Sequence, residues 1–240
     1  MFDQLVGILL VGLGINTSPF VNPNVKGEET VATTSSDRPG VPPFRENIRN
    51  VREIRKASAE AVREQRKDFL ESLKERREEA RETYQERREA LKEKLAEIKD
   101  ARKKALIEKI NANCQKINEK RTERMSQMLE KMSSILENVV NRAAAAAANG
   151  KDTSSVDAAV VSSQTAIADA QAAVEAQAAK ECVVTINSET TARNDVGATI
   201  SGLQKDLKAV FDKVVTARKS VGAAIRALGL VLGESLTPTP

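Results

Sequence analysis

Apolar positions recur every eleven residues from Arg52 to Val139. Eight consecutive words of that length close on Val62, Leu73, Tyr84, Leu95, Leu106, Ile117, Met128 and Val139, with no insertion between them. The second place of each word is glutamate: Glu53, Glu64, Glu75, Glu86, Glu97, Glu108, Glu119 and Glu130. Eleven residues make three turns at about 3.67 residues per turn, so the pattern predicts a long helix with a nearly straight apolar seam. The seventh place (Phe69, Ala80, Leu91, Ile135) shares that seam. Bases flank it at the fourth and eighth places: Arg55, Arg66, Arg77, Arg88, Lys99 and Arg121, with Arg81, Lys92 and Lys103. Opposite lie like-charged i,i+4 pairs, Glu60/Glu64, Glu71/Glu75, Glu82/Glu86 and Glu93/Glu97. Such pairs cost about 0.2 to 0.5 kcal/mol in an isolated helix. The pattern therefore calls for something laid against the basic seam.

From Phe44 to Ala148 there is neither Gly nor Pro. An unbroken helix there has about 105 residues and spans about 157 Å at 1.5 Å per residue. Pro42 and Pro43 suit its first turn, and Asn149-Gly150 supplies its stop. A second helix is expected at about 154–182, capped from Thr153, Ser154 or Ser155, with Ser154 and Asp157 in capping-box spacing. Its inner face is Val156, Val160, Ile167, Ala170, Val174 and Ala178. A third, at about 191–229, carries Val196, Ile200, Leu203, Leu207, Val210, Val214, Ala217, Val221, Ile225 and Leu228 at heptad spacing, and ends at Gly229 and Gly233.

Short connections make sequential helices antiparallel. The expected fold is all-α: a long eleven-residue-repeat helix folding back into an elongated antiparallel three-helix bundle. Residues 1–20 form an apolar export-signal-like segment, 21–43 a disordered linker, 44–107 a protruding charged arm, 108–230 the bundle and 231–240 a loose tail. Counting back from the turn near residue 151 puts Cys182 one or two helical turns from Cys114, closer if the chain past Lys180 is extended. The pair is either a disulfide tying the first two helices together or two buried thiols, according to compartment.

Composition narrows the chemistry. Histidine is absent, which removes Ser-His and Cys-His catalysis and His-based metal sites. No phosphate-binding loop, dinucleotide fingerprint, GxSxG elbow or paired CxxC occurs. No catalytic, cofactor-binding or metal-ligating residue is assigned, and no cofactor is expected. Met125, Met128 and Met132 at helical spacing read as pliable core. Residues 45–142 hold 27 Lys and Arg against 20 Asp and Glu, so the basic surplus lies on the repeat.

Leu5 to Ile15 is an apolar run of about 16 Å as a helix, too short for a hydrocarbon core of about 30 Å. Its length suits an export-signal core with Gly12 and Gly14 as a cleavage site, although Asp3 stands where such signals carry Lys or Arg. The order of apolar run, Pro/Thr linker, Arg/Glu-rich helix and Ala-rich helical end resembles uncharacterised exported coiled-coil proteins of bacteria. That resemblance covers most of the chain, carries no specific motif and implies a structural role outside the cytoplasm. The repeat, with bases beside the seam and acids opposite, also resembles the lipid-surface helices of apolipoproteins. It departs from them in a narrow apolar stripe, interrupted at Ala80, Arg102, Asn113 and Arg124.

The expected function is a non-enzymatic structural or interaction protein, a coiled-coil spacer or docking arm in the cell envelope or outside the cell. Its partner is another helical protein or a second copy, met through Arg66, Phe69, Leu73, Arg77, Tyr84, Arg88, Leu91 and Leu95. The alternative is salt-sensitive binding of an anionic lipid surface or nucleic acid; for nucleic acid there is little beyond charge, since Tyr84 stands without aromatic neighbours. Without a working signal the protein would be cytoplasmic.

Overall fold

The computed structural model describes residues 44–233, with side chains from residue 53. The export-like segment, the linker and the tail beyond Gly233 lie outside the described residues. Within them the chain is all-helical: α1 (Phe44–Ala96), α2 (Ala101–Ala148), α3 (Ser154–Ala178) and α4 (Ala192–Leu232).

The expected 105-residue helix is two helices, and the expected three-helix bundle with an arm is a bundle of four. The break falls at residues 97–100, where Asp100 caps α2 by accepting from the backbone N–H groups of Arg102 and Lys103. Folding back lets Leu91, Leu95 and Ile98 bury themselves against Ile107. A straight arm would leave all of them in water, so about 25 cal/mol per Å² of apolar area favours the hairpin. Tertiary burial thus overrides a local sequence with no helix breaker.

α1 runs antiparallel to α2 and parallel to α3. α4 packs on α2 and α3 but not on α1, so α1 and α4 flank the α2/α3 pair on opposite sides. The main core gathers Val62, Phe69 and Leu73 of α1, Leu129 and Leu136 of α2, Val156, Ile167 and Val174 of α3, and Val214 and Val221 of α4. Small side chains on α3, with Ser163 and Ala170 fully buried, let its neighbours come close.

Several side chains depart from the expected seams. Beyond residue 100 the buried face of α2 runs through Ile107, Cys114, Met125, Leu129, Met132 and Leu136. Leu106, Ile117 and Met128, at eleventh places, and Ile135, at a seventh, are exposed while Val139 stays buried, because α2 must serve three neighbours and only a steeper stripe faces them all. On α4 the seam passes through Ala224 and leaves Ile225 outside. α3 stops at Ala178 rather than near 182, and residues 180–188 have no regular secondary structure, their alternate residues Cys182, Val184 and Ile186 being buried with the period of an extended chain. Gly150 holds the left-handed conformation expected after α2, with φ +79°. Asp157 does not complete a capping box; it pairs with Arg55 at 2.7 Å. Arg55 is buried, donates to the Ala143 carbonyl at 2.9 Å and to the Thr153 hydroxyl, and so ties α1 to the α2–α3 turn.

Candidate functional site

The chain itself covers the surface expected to meet a partner. Phe69, Leu73, Leu91 and Leu95 are buried, Arg66, Arg77 and Tyr84 are half-buried, and Arg88 is exposed. Arg55 is answered by Asp157 of α3, and the acids that answer Arg63, Arg77 and Arg81 belong to α2. Arg63 Nε donates to Glu137 Oε1 at 2.6 Å, Arg77 pairs with Glu123, and Arg81 lies 3.8 Å from Glu119. These pairs are mirror images about Asp100, which fixes the hairpin register. Exposed ion pairs contribute about 0 to 1 kcal/mol each, so they select register more than they stabilise. Arg66 lines a shallow groove with Gln127, Glu130 and Lys131. Arg88 and Tyr84 line another, of about 620 Å³, with Arg81, Lys116 and Glu119. Tyr84 accepts from Asn111 Nδ2 at 3.1 Å, and burial pushes its phenol above the usual tyrosine value.

The inner side of α2 holds a polar ladder that sequence reading passed over. Asn118 Nδ2 donates to the Lys180 carbonyl at 2.8 Å, Gln115 Oε1 accepts from Cys182 N–H at 2.9 Å, and Asn111 Oδ1 accepts from Val184 N–H at 2.8 Å. Alternate residues of an extended chain advance about 6.6 Å, and one turn of a helix about 5.4 Å, so a three-four spaced row can serve every second residue of a strand laid along it. α2 acts here as the neighbouring strand that 180–184 lacks, and satisfies backbone groups that burial would otherwise orphan. Beside the ladder Cys114 and Cys182 face each other at disulfide distance, with Cα atoms 5.6 Å apart. Because the chain turns extended at Lys180, Cys182 reaches Cys114 itself rather than a site one or two turns away. The same segment carries Val184 and Ile186 into the core at the hairpin tip.

The opposite side of α2 faces outward together with α4. At 100° per residue, Leu106, Ile110, Ile117, Met128 and Ile135 fall within a strip about 40° wide. Leu106 is 58% exposed, Ile117 48%, Met128 45% and Ile135 42%, an apolar line left open to solvent. Beside it run Arg102, Lys109, Lys120, Arg124, Lys131 and Arg142, all exposed, four of them (109, 120, 131, 142) spaced by eleven. The acids of α2 lie elsewhere: Glu119, Glu123 and Glu137 are engaged with α1, and Glu108 and Glu130 share their side of the helix. Across the line α4 adds exposed Phe211 and Ile225, with Lys208, Arg218, Lys219 and Arg226; Asp212 among them is bonded to Lys208 at 2.7 Å. Between the two helices lies a groove of about 590 Å³, lined by Ile117, Met125, Leu203, Leu207 and Phe211. The eleven-residue recurrence of Lys109, Lys120, Lys131 and Arg142 was the sequence signal for this face.

No protein-family model matches the chain, and comparison with curated proteins and with solved structures gives no match either. Among the described residues no helix is long and apolar enough to cross a membrane.

Glu175, on α3, is the carboxylate that burial acts on most clearly. Burial raises it, against Ser72, which donates to it at 3.2 Å, and Arg76, both of which pull it back. The folded state therefore holds this proton more tightly than the unfolded chain. Its contribution is present below the unfolded value near pH 4 and is lost as pH rises through the higher folded value. Glu175→Gln should raise the melting temperature at pH 7 and leave it unchanged near pH 3.5. A lower Tm for the variant at pH 7 would show that the Ser72 bond outweighs desolvation.

Proposed function

We propose that the protein is a non-enzymatic interaction protein whose four-helix bundle works in an oxidising compartment outside the cytoplasm and docks through its α2/α4 face. The composition of that face carries the reading: an apolar line between two rows of bases, with the acids of α2 turned away. Isolated exposed apolar side chains are ordinary, but an apolar line of this length rimmed by one sign of charge is the make-up of an interaction surface. Export is supported by the Leu5–Ile15 run and by the facing cysteines, since disulfides persist outside the reducing cytosol. The absence of histidine and the solvated setting of most carboxylates favour binding over catalysis.

The test is fractionation from the native source without reductant. The expected result is a bridged chain, gaining about 2 Da on reduction because two thiol hydrogens are added, that sediments with the cell envelope. A Lys109→Glu/Lys120→Glu/Lys131→Glu variant should fold normally, since all three side chains are exposed, and leave the envelope fraction. Full-length protein with two free thiols in the soluble fraction would overturn the reading.

A further inference from the structure

We propose that the α2/α4 face is the seat for an anionic lipid surface. The inference deepens the docking reading and names its partner. Three observations on different helices converge. The apolar line from Leu106 to Ile135, continued across the groove by Phe211 and Ile225, supplies side chains that enter the acyl boundary of a bilayer. The bases on both sides of it, from Arg102 to Arg142 on α2 and from Lys208 to Arg226 on α4, have aliphatic stems that reach outward to headgroup phosphates while the apolar line sinks. The face from Arg102 to Arg142 is about 60 Å long at 1.5 Å per residue, so these groups meet a flat surface at once rather than in turn.

The third observation is the far side of the molecule. α1 lies across the α2/α3 pair from α4, and its seam points inward, so the glutamates opposite that seam point away from the α2/α4 face. Glu53, Glu60, Glu64, Glu71, Glu75, Glu82, Glu86 and Glu93 are all exposed. Among the described residues Glu64, Glu71, Glu75, Glu82, Glu86 and Glu93 form no ion pair. The four-helix bundle is thus polarised from one side to the other, with one flank basic and apolar and the other acidic. In the field of an anionic bilayer that distribution selects one face for contact and repels the other. An acidic helical partner would use the bases but has no equal need of an apolar line open along most of α2.

The test is co-sedimentation of the full chain with vesicles of phosphatidylglycerol and phosphatidylcholine, and of phosphatidylcholine alone. Binding to the first and not the second is expected at about 0.05 M salt, falling steeply by about 0.5 M as the Debye length shrinks below 5 Å. Lys109→Glu/Lys120→Glu/Lys131→Glu should weaken partitioning more than about 100-fold. Ile117→Ser/Met128→Ser should keep the low-salt binding and lose most of what survives at high salt. Glu71→Lys/Glu75→Lys, on the far flank, should leave affinity within about twofold. No binding to acidic vesicles at low salt, or equal loss from the far-flank variant, overturns the inference. If the protein still sediments with the envelope and the basic-face variant does not, the docking reading stands with a protein partner in place of lipid.

Discussion

Asn118→Ala should lower the free energy of unfolding by about 3 to 5 kcal/mol, far more than truncation of a surface amide. Asn118 is buried and uses both ends of its amide. Nδ2 donates to the carbonyls of Gln177 and Lys180 at 3.2 and 2.8 Å, and Oδ1 accepts from Gln177 Nε2 at 2.9 Å. Alanine leaves a buried Gln177 amide N–H and the Lys180 carbonyl without partners, while the Gln177 carbonyl keeps only the Lys180 N–H, and each orphaned group costs about 1 to 3 kcal/mol. It also releases the point at which α3 ends and the extended segment starts, so the effect reaches the Gln115 and Asn111 bonds beyond. Replacing both amides, Asn118→Leu with Gln177→Leu, should recover part of the loss, because apolar pairs need no partner. Urea titration of the three proteins measures this. A loss below about 1 kcal/mol for Asn118→Ala would mean that water enters and serves the orphaned groups.

The spread between what was legible in the sequence and what was not follows from where each signal resides. The seam residues Val62, Phe69, Leu73, Ala80, Leu91 and Leu95 are all buried, because a helix with one apolar stripe has one face to hide. The eleven-residue phase also ran unbroken through Asp100, and so concealed the hairpin. Asp100 was the available cue, an N-cap residue in the middle of a helical pattern, but a lone aspartate on a charged helix is ordinary. What breaks the helix there is non-local: Ile98 and Ile107 meet Val184 and Ile186 from the far end of the chain. Ala224 in place of Ile225 has a similar cause. Sequence reading favours the larger apolar residue, whereas the narrow space beside α3 admits the smaller. The outward α2/α4 face is hard to see in the sequence because its apolar residues fall on the eleven-residue seam. Once α2 rotates its seam toward three neighbours, Leu106, Ile117 and Met128 are left outside, and the same repeat that built the core of α1 decorates the surface of α2.

Reduction of the Cys114–Cys182 pair should destabilise the protein by about 4 kcal/mol without unfolding it. The two cysteines are 68 residues apart, and a bridge across that span removes loop-closure entropy from the unfolded chain worth about 4 kcal/mol at 25 °C in the chain-entropy picture. The main core of α1 to α4 owes nothing to the bridge, so the reduced protein should remain helical, with a urea midpoint shifted to lower denaturant. Cys114→Ser/Cys182→Ser should match the reduced protein and be indifferent to reductant. If reduction instead leaves the midpoint unchanged, the bridge does not form in solution and the case for an oxidising compartment loses its chemical support. The loss should also be uneven. The bridge closes the end of the bundle where α3 has stopped and the 180–187 segment, with the first turns of α4, covers the α1–α2 tip, so amides of Val184 and Ile186 should exchange first on reduction. Those of Leu129 and Leu136, deep in the four-helix core, should follow only with global unfolding. Reduction would then loosen the end that bears Leu106 and Ile110 before it disturbs Met128 and Ile135, so the α2/α4 face should lose its order from one end first.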